Sequence, residues 1–474
     1  MAAPFAAGIT RRRVLVIGGM PPKDAFQERS LTLADFSTDR EVLRWSRALL
    51  IVFDADSVID STALTLALDH GLQVFVVAAT DKDQQLAINQ LQKSTLLESV
   101  TLRTAGPWTE VAERCRDHDP KAGIGDVEIF GSCDDNDAFL LRRAFADCKT
   151  IRIEPIGGGL SGAHVFRVHA TFEHSAAGPR PLPFFAKSDA KLRIEREITN
   201  YGMYVDRFIP FYLRPHLDHT RCLDSHLRGL LVGDFVASSE PLTETLRANR
   251  GRSALNSLFD ESLRSWRLQA FESERGVVVG RVPSAIYSFD PGRFSGSRVA
   301  AAKAAGARCD PGDLVARLEA VTALPYRSGP IHADLNCANI QVRVTDAIVI
   351  DFYTTKTGPI VADPAALEVD VAFSHDTTDD FDQWRDLIDK LYGPSYLSKI
   401  PPPSGEPTRR EWIWETIRQV RMHGRAVEPA AGEYEQAIAV YLLKRAQYPS
   451  RDEQDEKRRT YAYVVADAVI RGLK

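Results

Sequence analysis

Near Thr150 the hydrophobic pattern of the chain changes character, and that change restricts the folds open to it. Before it, from Val14 onward, the short apolar runs VLVIGG, SLTLADF, ALLIVFDAD, LQVFVVAA and VTLRTA are separated mostly by amphipathic stretches. Such alternation suits strands buried on both faces of a parallel sheet and joined by helical crossovers. Residues 14 to about 120 therefore read as a five-stranded, doubly wound α/β domain. After Thr150, TIRIEPIGGGLSGAHVFRVHATFE supplies two β-like runs around a glycine-rich turn, PFFAKSDA a third, and IEREITNYGMYV a helix. Helical periodicity then takes over. The expected organisation is an α/β domain over residues 1–122, a Gly- and Asp-rich linker with a short helix over 123–149, a small antiparallel lobe with its connector over 150–236, and a helical lobe over 237–474. The stretch FDPGRFSGSRVAAAKAAGARCDPGD is expected to be a long, partly flexible insertion.

Bulk properties narrow the function classes. A chain of 474 residues allows several domains, and a hydrophobic share of 44% beside a charged share of 26% permits a buried core throughout. A formal net charge of -5 gives no general attraction to nucleic acid or anionic membrane, so neither is expected as a partner. The six cysteines are scattered, without a CxxC pair or zinc-like spacing, which fits a reducing compartment. Arg11 to Arg13 follow a weakly apolar stretch rather than precede an apolar one, the reverse of a secretory signal, and a cytoplasmic location is expected.

The segment carrying most chemical information is IHADLNCANI, where His332, Asp334 and Asn339 stand at the spacing H-x-D-x-x-x-x-N, followed by AIVIDF with Asp351. Phosphoryl transfer from ATP requires a carboxylate near the acceptor hydroxyl and oxygen ligands for Mg2+ bridging the phosphates. Asp334 suits the first task, Asn339 and Asp351 the second. A short loop returning into a strand can place Asp334 and Asn339 on one side, with Asp351 opposite.

HADLNCAN and VIDFY together resemble the catalytic loop and metal-binding aspartate of the protein-kinase-like superfamily, nearest its aminoglycoside phosphotransferase and choline kinase branch. The resemblance covers about Thr150 to the C-terminus and implies a bilobal α+β kinase-like fold, ATP and Mg2+ as cofactors, catalytic roles for His332 and Asp334, and metal ligation by Asn339 and Asp351. It also implies that Asp363, in GPIVADPAALEVD, braces the catalytic loop. Ala333 and Tyr353 stand where the family usually has Gly or Arg, and Gly.

Upstream residues follow the same order. Gly157, Gly158, Gly159 and Gly162 can turn tightly and aim backbone N–H groups at phosphates, with Ser161 as an added donor; glycines in hairpin turns also serve purely steric ends. Lys187 ends the strand PFFAKSDA and matches the lysine that contacts the α- and β-phosphates, against the plainer reading of a strand-end lysine reaching water. Its helix partner is Glu195 or Glu197, with Glu197 favoured by the adjacent stripe of Ile194, Ile198 and Tyr201. LRGLLVGDFV resembles an interlobe hinge, so Gly233 to Val236, including Asp234 and Val236, are expected to meet adenine through main-chain atoms.

Asp363 follows Asp351 by only twelve positions. That is too short for a peptide-docking segment, so the phosphoacceptor is expected to be a small molecule or an unusual protein. The run HDTTDDFD could hold a cationic ligand or simply start a helix. IGGGLSGAHVFRV, IEREITNY and EYEQAIAVYLLKRA also resemble the kinase-like member of the ternary-complex-associated domains, predicted bacterial signalling modules. The N-terminal domain resembles a response-regulator receiver, yet its first strand offers Gly18 and Gly19 in place of metal-binding carboxylates, leaving Asp54 and Asp56 without magnesium partners. A degenerate, non-catalytic receiver-like domain used for dimerisation or docking is expected. Two function classes follow: an active phosphotransferase, or a nucleotide-binding pseudokinase scaffold.

Overall fold

The computed structural model describes residues 12–473 except 39–41, 44–45, 95, 98–99, 105, 118–126, 158–161, 226–227, 273–275, 376–379 and 405–408. The chain divides into two compact units, Met1–Glu195 with Leu217–Phe235, and Arg196–His216 with Val236–Lys474.

The first unit contains two sheets. Strands β1 (Arg13–Gly18), β2 (Thr32–Asp35), β3 (Ser46–Phe53), β4 (Gln73–Ala78) and β5 (Thr101–Thr104) form a parallel sheet in the order β2-β1-β3-β4-β5. This is the order of flavodoxin-like doubly wound sheets. Because side chains alternate along a strand, β3 feeds two cores. Leu49, Ile51 and Phe53 pack with Leu64 and Leu91 of helices Ser61–Asp69 and Asp81–Lys93. Ala48 and Leu50 pack with Phe26 and Val111 on the other face. Asp60 caps the first of those helices, and Thr80 and Asp83 form a capping box on the second.

The second sheet runs β10 (Leu223–Asp224), β11 (Arg228–Asp234), β9 (Phe184–Ala190), β8 (His164–Phe172), β7 (Cys148–Pro155), β6 (Glu128–Phe130). Residues 128–144, within the expected linker and helix over 123–149, join this sheet. Strand β6 pairs in parallel with β7, and helix Asp135–Ala144 covers the sheet through Leu140, Leu141 and Ala144. A three-residue strand is too short for periodicity to register. Gly131, which looked like boundary composition, serves a close approach: it has φ +120° and a Cβ there would meet the Ile153 carbonyl at 2.4 Å. Arg143 of the same helix is buried and donates to the carbonyls of Asp69 (2.7 Å) and Asp224 (3.1 Å), joining the two sheets' substructures.

The second unit is mainly helical, with two small sheets built from β12 (Glu240–Pro241), β13 (Val277–Gly280), β14 (Leu324–Ile331), β15 (Ile340–Arg343), β16 (Asp346–Val349) and β17 (Lys356–Pro359), ordered β12-β15-β16 and β13-β14-β17. Helix Ala362–Ser374 is buried on nearly every side, as an apolar sequence such as ADPAALEVDVAF requires. Its Glu368 forms a fully buried ion pair with Arg421 of helix Glu411–Arg425 (2.7 Å), and Tyr434 of helix Glu433–Gln447 donates to the same carboxylate. The expected flexible insertion is instead anchored. It contains helix Gly296–Ala304, whose buried Arg298 donates to the carbonyls of Ala446 (2.7 Å) and Tyr448 (2.6 Å) and pairs with Glu456. Among the described residues no helix is long and apolar enough to cross a membrane.

Candidate active site

The loop between β14 and β15 presents Asp334. Two aspartates seven residues apart on helix Ala362–Ser374, hence two turns apart on one face, hold its backbone. Asp363 accepts from the N–H groups of His332 (2.9 Å) and Ala333 (3.0 Å). Asp370 accepts from the N–H of Cys337 (2.8 Å) and meets His375 Nε2 at 2.8 Å. Burial pushes the Asp363 carboxyl above its ordinary range, with His332 and the two N–H donors opposing that rise. Between these braces Ala333 is held at φ +63°, a left-handed conformation costly for a residue with a Cβ. The departure from glycine at 333 is thus accommodated by over-determining the loop. Asp370 was missed in the sequence; its signal is an acidic residue two turns after Asp363 in an otherwise apolar helix.

His332, expected to be catalytic, is placed inside the loop's support. Its side chain is fully buried, its Nε2 lies 3.0 Å from the Ile350 carbonyl, and its own carbonyl accepts from Thr354. Through these contacts His332 ties the loop to the segment entering Asp351.

Asp334 stands with its side chain 45% exposed. Its carbonyl accepts from Asn339 Nδ2 (3.0 Å), which commits the amide nitrogen and leaves Oδ1 as the amide's acceptor atom. The β15–β16 hairpin pairs Ile340 with Val349, and the Ile350 N–H donates to the Asn339 carbonyl (2.9 Å), so Asn339 and the strand end carrying Asp351 come together. Asp351 itself has φ +65°, which aspartate tolerates better than most residues. Asn200 donates to the carbonyls of Phe352 (3.0 Å) and Tyr353 (2.9 Å), fixing the next two residues. An amide oxygen and a carboxylate are hard oxygen donors of the kind Mg2+ takes alongside phosphate oxygens, so the pair fits that ion.

Lys444 was not anticipated. This lysine of helix Glu433–Gln447 reaches Asp334 Oδ1 at 3.0 Å with its side chain only 10% exposed. Burial disfavours its charge, yet Asp334 more than offsets this and holds the ammonium pKa above its ordinary range. A cation inside the apolar run AIAVYLLKRA was the available signal.

The other expected nucleotide-binding residues fall as follows. Gly158, Gly159 and Ser161 lie outside the described residues. Gly162 has φ +75°, and among the described residues a Cβ at either Gly157 or Gly162 would meet nothing within 4 Å. Lys187 is half-buried in the centre of β9, opposite Val165 and Leu231, on the sheet face away from the core that Ala186 enters. Glu197 is 5% exposed, whereas Glu195 is exposed and lies 3.8 Å from Lys191; the inward-facing glutamate is Glu197. Gly229 lets helix Lys191–Asn200 approach β11, since a Cβ there would lie 2.8 Å from Ile194. Asp234 is exposed at the end of β11, the Phe235 N–H donates to Pro183 (3.0 Å), and the half-buried Val236 has a carbonyl that accepts from Ser239 (2.7 Å). Of HDTTDDFD, residues 376–379 lie outside the described residues, while Asp380 caps helix Phe381–Tyr392.

In the N-terminal sheet, Gly18 has φ +91° and a Cβ there would meet the Val52 carbonyl at 2.4 Å, so the end of β1 has no room for a carboxylate. Asp54 accepts from Ser57 Oγ (2.6 Å) and the Asp56 N–H (3.2 Å), which makes it a turn residue.

No protein-family model matches the sequence, and no curated protein matches it. Among solved structures, the chain is similar to an amicoumacin kinase in complex with AMP-PNP and Ca2+, at 10% identity over 67% of this chain and 88% of that one, with a TM-score of 0.33. It is similar to a choline kinase from Cryptosporidium parvum at 13% identity over 68% and 90%, TM-score 0.32. A choline/ethanolamine kinase family protein from Mesorhizobium loti shares 12% identity over 66% and 92%, TM-score 0.28.

Proposed function

We propose that the chain is an ATP- and Mg2+-dependent phosphotransferase acting on a hydroxyl of a small molecule or an unusual protein acceptor. The observation that carries this reading is the Asp334 loop, held in a strained backbone by Asp363 and Asp370 while hairpin pairing brings Asn339 beside the strand end bearing Asp351. Strain retained and braced on both sides is a hallmark of sites where position matters more than stability. Asp334 orients the acceptor hydroxyl and receives its proton; Asn339 and Asp351 hold Mg2+, which when bound screens the charge on the transferring group. Lys187, Glu197, the glycines of the β7–β8 turn and the main chain around Asp234 and Val236 are assigned to the nucleotide. The N-terminal domain is assigned a contact role, with a second copy or a protein partner, since its first strand leads into Gly18 and Gly19 rather than carboxylates.

The test is ATP with Mg2+ and the full-length protein. Saturating nucleotide should raise the melting temperature, since a ligand at a hundredfold excess over Kd adds about 2.7 kcal/mol to the native state. Asp334→Ala should lower ATP turnover by roughly 10² to 10⁴ while keeping that shift, and Asp351→Ala should weaken both. Equal turnover in wild type and Asp334→Ala would move the protein to the nucleotide-binding scaffold class.

A further inference from the structure

Buried lysines are rare unless paired, because taking an ammonium out of water costs several kcal/mol. Lys444 is buried, and what it is paired with is the carboxylate just assigned to the acceptor. Its Nζ also lies 3.4 Å from the Ala333 carbonyl, so it touches the strained residue as well as the reactive one. The ammonium sits over the rings of Tyr287 and Tyr441, 5.5 and 5.6 Å from their centroids. A carboxylate with flanking aromatic faces is the arrangement that takes up an organic cation. In this chain that arrangement is already filled, from within, by Lys444.

The neighbouring charges add to the effect. Lys356, whose ammonium caps helix Val282–Ile286 through the carbonyls of Ala285 (3.1 Å) and Ile286 (2.6 Å), lies close enough to Lys444 to feel its charge. Arg293 and Lys444 both act on Tyr448. Asp363 also lies near Asp334, so the surroundings are not uniformly positive, but Lys444 is the cation in direct contact with the Asp334 carboxylate, and a cationic acceptor would bring a further positive charge against it.

We propose that Lys444 is a positioning residue of the transfer reaction, one that fixes Asp334 and makes the site take a neutral or anionic hydroxyl compound in preference to a cationic one. This rests on the phosphotransferase reading. As charge develops on the transferring phosphoryl group, an ammonium already in place needs no reorganisation to stabilise it. The same cation keeps an amine-bearing alcohol from seating its hydroxyl on Asp334.

The experiment measures ADP release from Mg-ATP by full-length wild type, Lys444→Met and Lys444→Arg, with melting temperatures recorded for each. Lys444→Met should lower kcat by about 10- to 100-fold with KM for ATP changed by less than about threefold, and Lys444→Arg should recover most of the lost rate. A purely structural lysine would instead lower the melting temperature and leave kcat of the folded fraction alone. If Lys444→Met does not fold, Lys444→Gln, which keeps length and hydrogen bonding without charge, is read in the same way. Millimolar choline, a cationic alcohol, should not raise ADP release by wild type above the rate in water. Unchanged kcat in a folded, charge-free variant, or stimulation of wild type by choline, would overturn the proposal. Absence of both ADP release and a nucleotide-induced melting shift in wild type would instead overturn the phosphotransferase reading beneath it.

Discussion

Glu433 opens helix Glu433–Gln447 with no solvent exposure, and neither carboxylate oxygen has a hydrogen-bond partner among the described residues. A helix start favours an anion, but burial, reinforced by Glu428 and only partly opposed by Arg327, pushes the Glu433 carboxyl from 4.5 up to about 9. At neutral pH the native carboxyl therefore holds a proton that the unfolded chain has lost. The sign follows from linkage: this group's contribution is fully present below pH 4.5 and declines as pH rises toward 9. Each unit in that window costs about 1.4 kcal/mol, so at pH 7.5 the deficit approaches about 4 kcal/mol. Glu433→Gln keeps the shape of the protonated acid and does not titrate. It should match wild type near pH 4.5 and exceed it by several kcal/mol near pH 8. Urea unfolding of both full-length proteins across this range, followed by tryptophan fluorescence, measures the difference. A stability difference that does not change with pH, or a glutamine variant that is weaker at pH 8, would refute the reasoning.

Asp363→Ala leaves the buried N–H groups of His332 and Ala333 without an acceptor; at about 1–3 kcal/mol each, unfolding in urea should show a loss of roughly 2–6 kcal/mol. Glu368→Ala strands Arg421 in the core and should cost about 3–5 kcal/mol, whereas replacing both partners by methionine should cost much less; equal losses in the single and double variants would argue against the pair. Acetyl phosphate with Mg2+ should leave the intact mass unchanged at Asp54 and Asp56, because the end of β1 offers Gly18 and Gly19 instead of carboxylates. A phosphate adduct abolished by Asp54→Asn or Asp56→Asn would show a working receiver.

The N-terminal sheet was legible because its central strands β1, β3 and β4 are mostly apolar runs, and such runs mark strands covered on both faces. The Asp334 loop was legible because its residues lie within a few positions of one another in sequence. What escaped had one of two causes. Strand β6 is too short to carry a period, and its neighbour Gly131 looks the same in sequence whether it ends a domain or lets two strands approach. Lys444 lies 110 positions from its partner, and a single sequence gives no means of joining them. The burial of His332 was hidden for a related reason: spacing places a residue in a loop but does not say which way its ring turns. Arg298 likewise reads as an ordinary surface arginine until Ala446 and Tyr448 are seen to receive it.

The parallel pairing of β6 with β7 bears on how the chain can be divided for separate expression. A fragment begun at Thr150 would lose an edge strand and the helix Asp135–Ala144, exposing Ile151, Ile153 and Val168 to water. One begun just before Val127 would keep both, but Arg143 would lose the Asp69 carbonyl, and Phe139 would lose the edge-on ring of His70, 5.3 Å away. The cut end would then present an uncovered phenyl ring beside a guanidinium that keeps the Asp224 carbonyl but has lost that of Asp69, and the bared apolar surface invites self-association. Arg143→Gln and Phe139→Ser, made only in the shortened protein, are the substitutions by which a soluble fragment could be recovered.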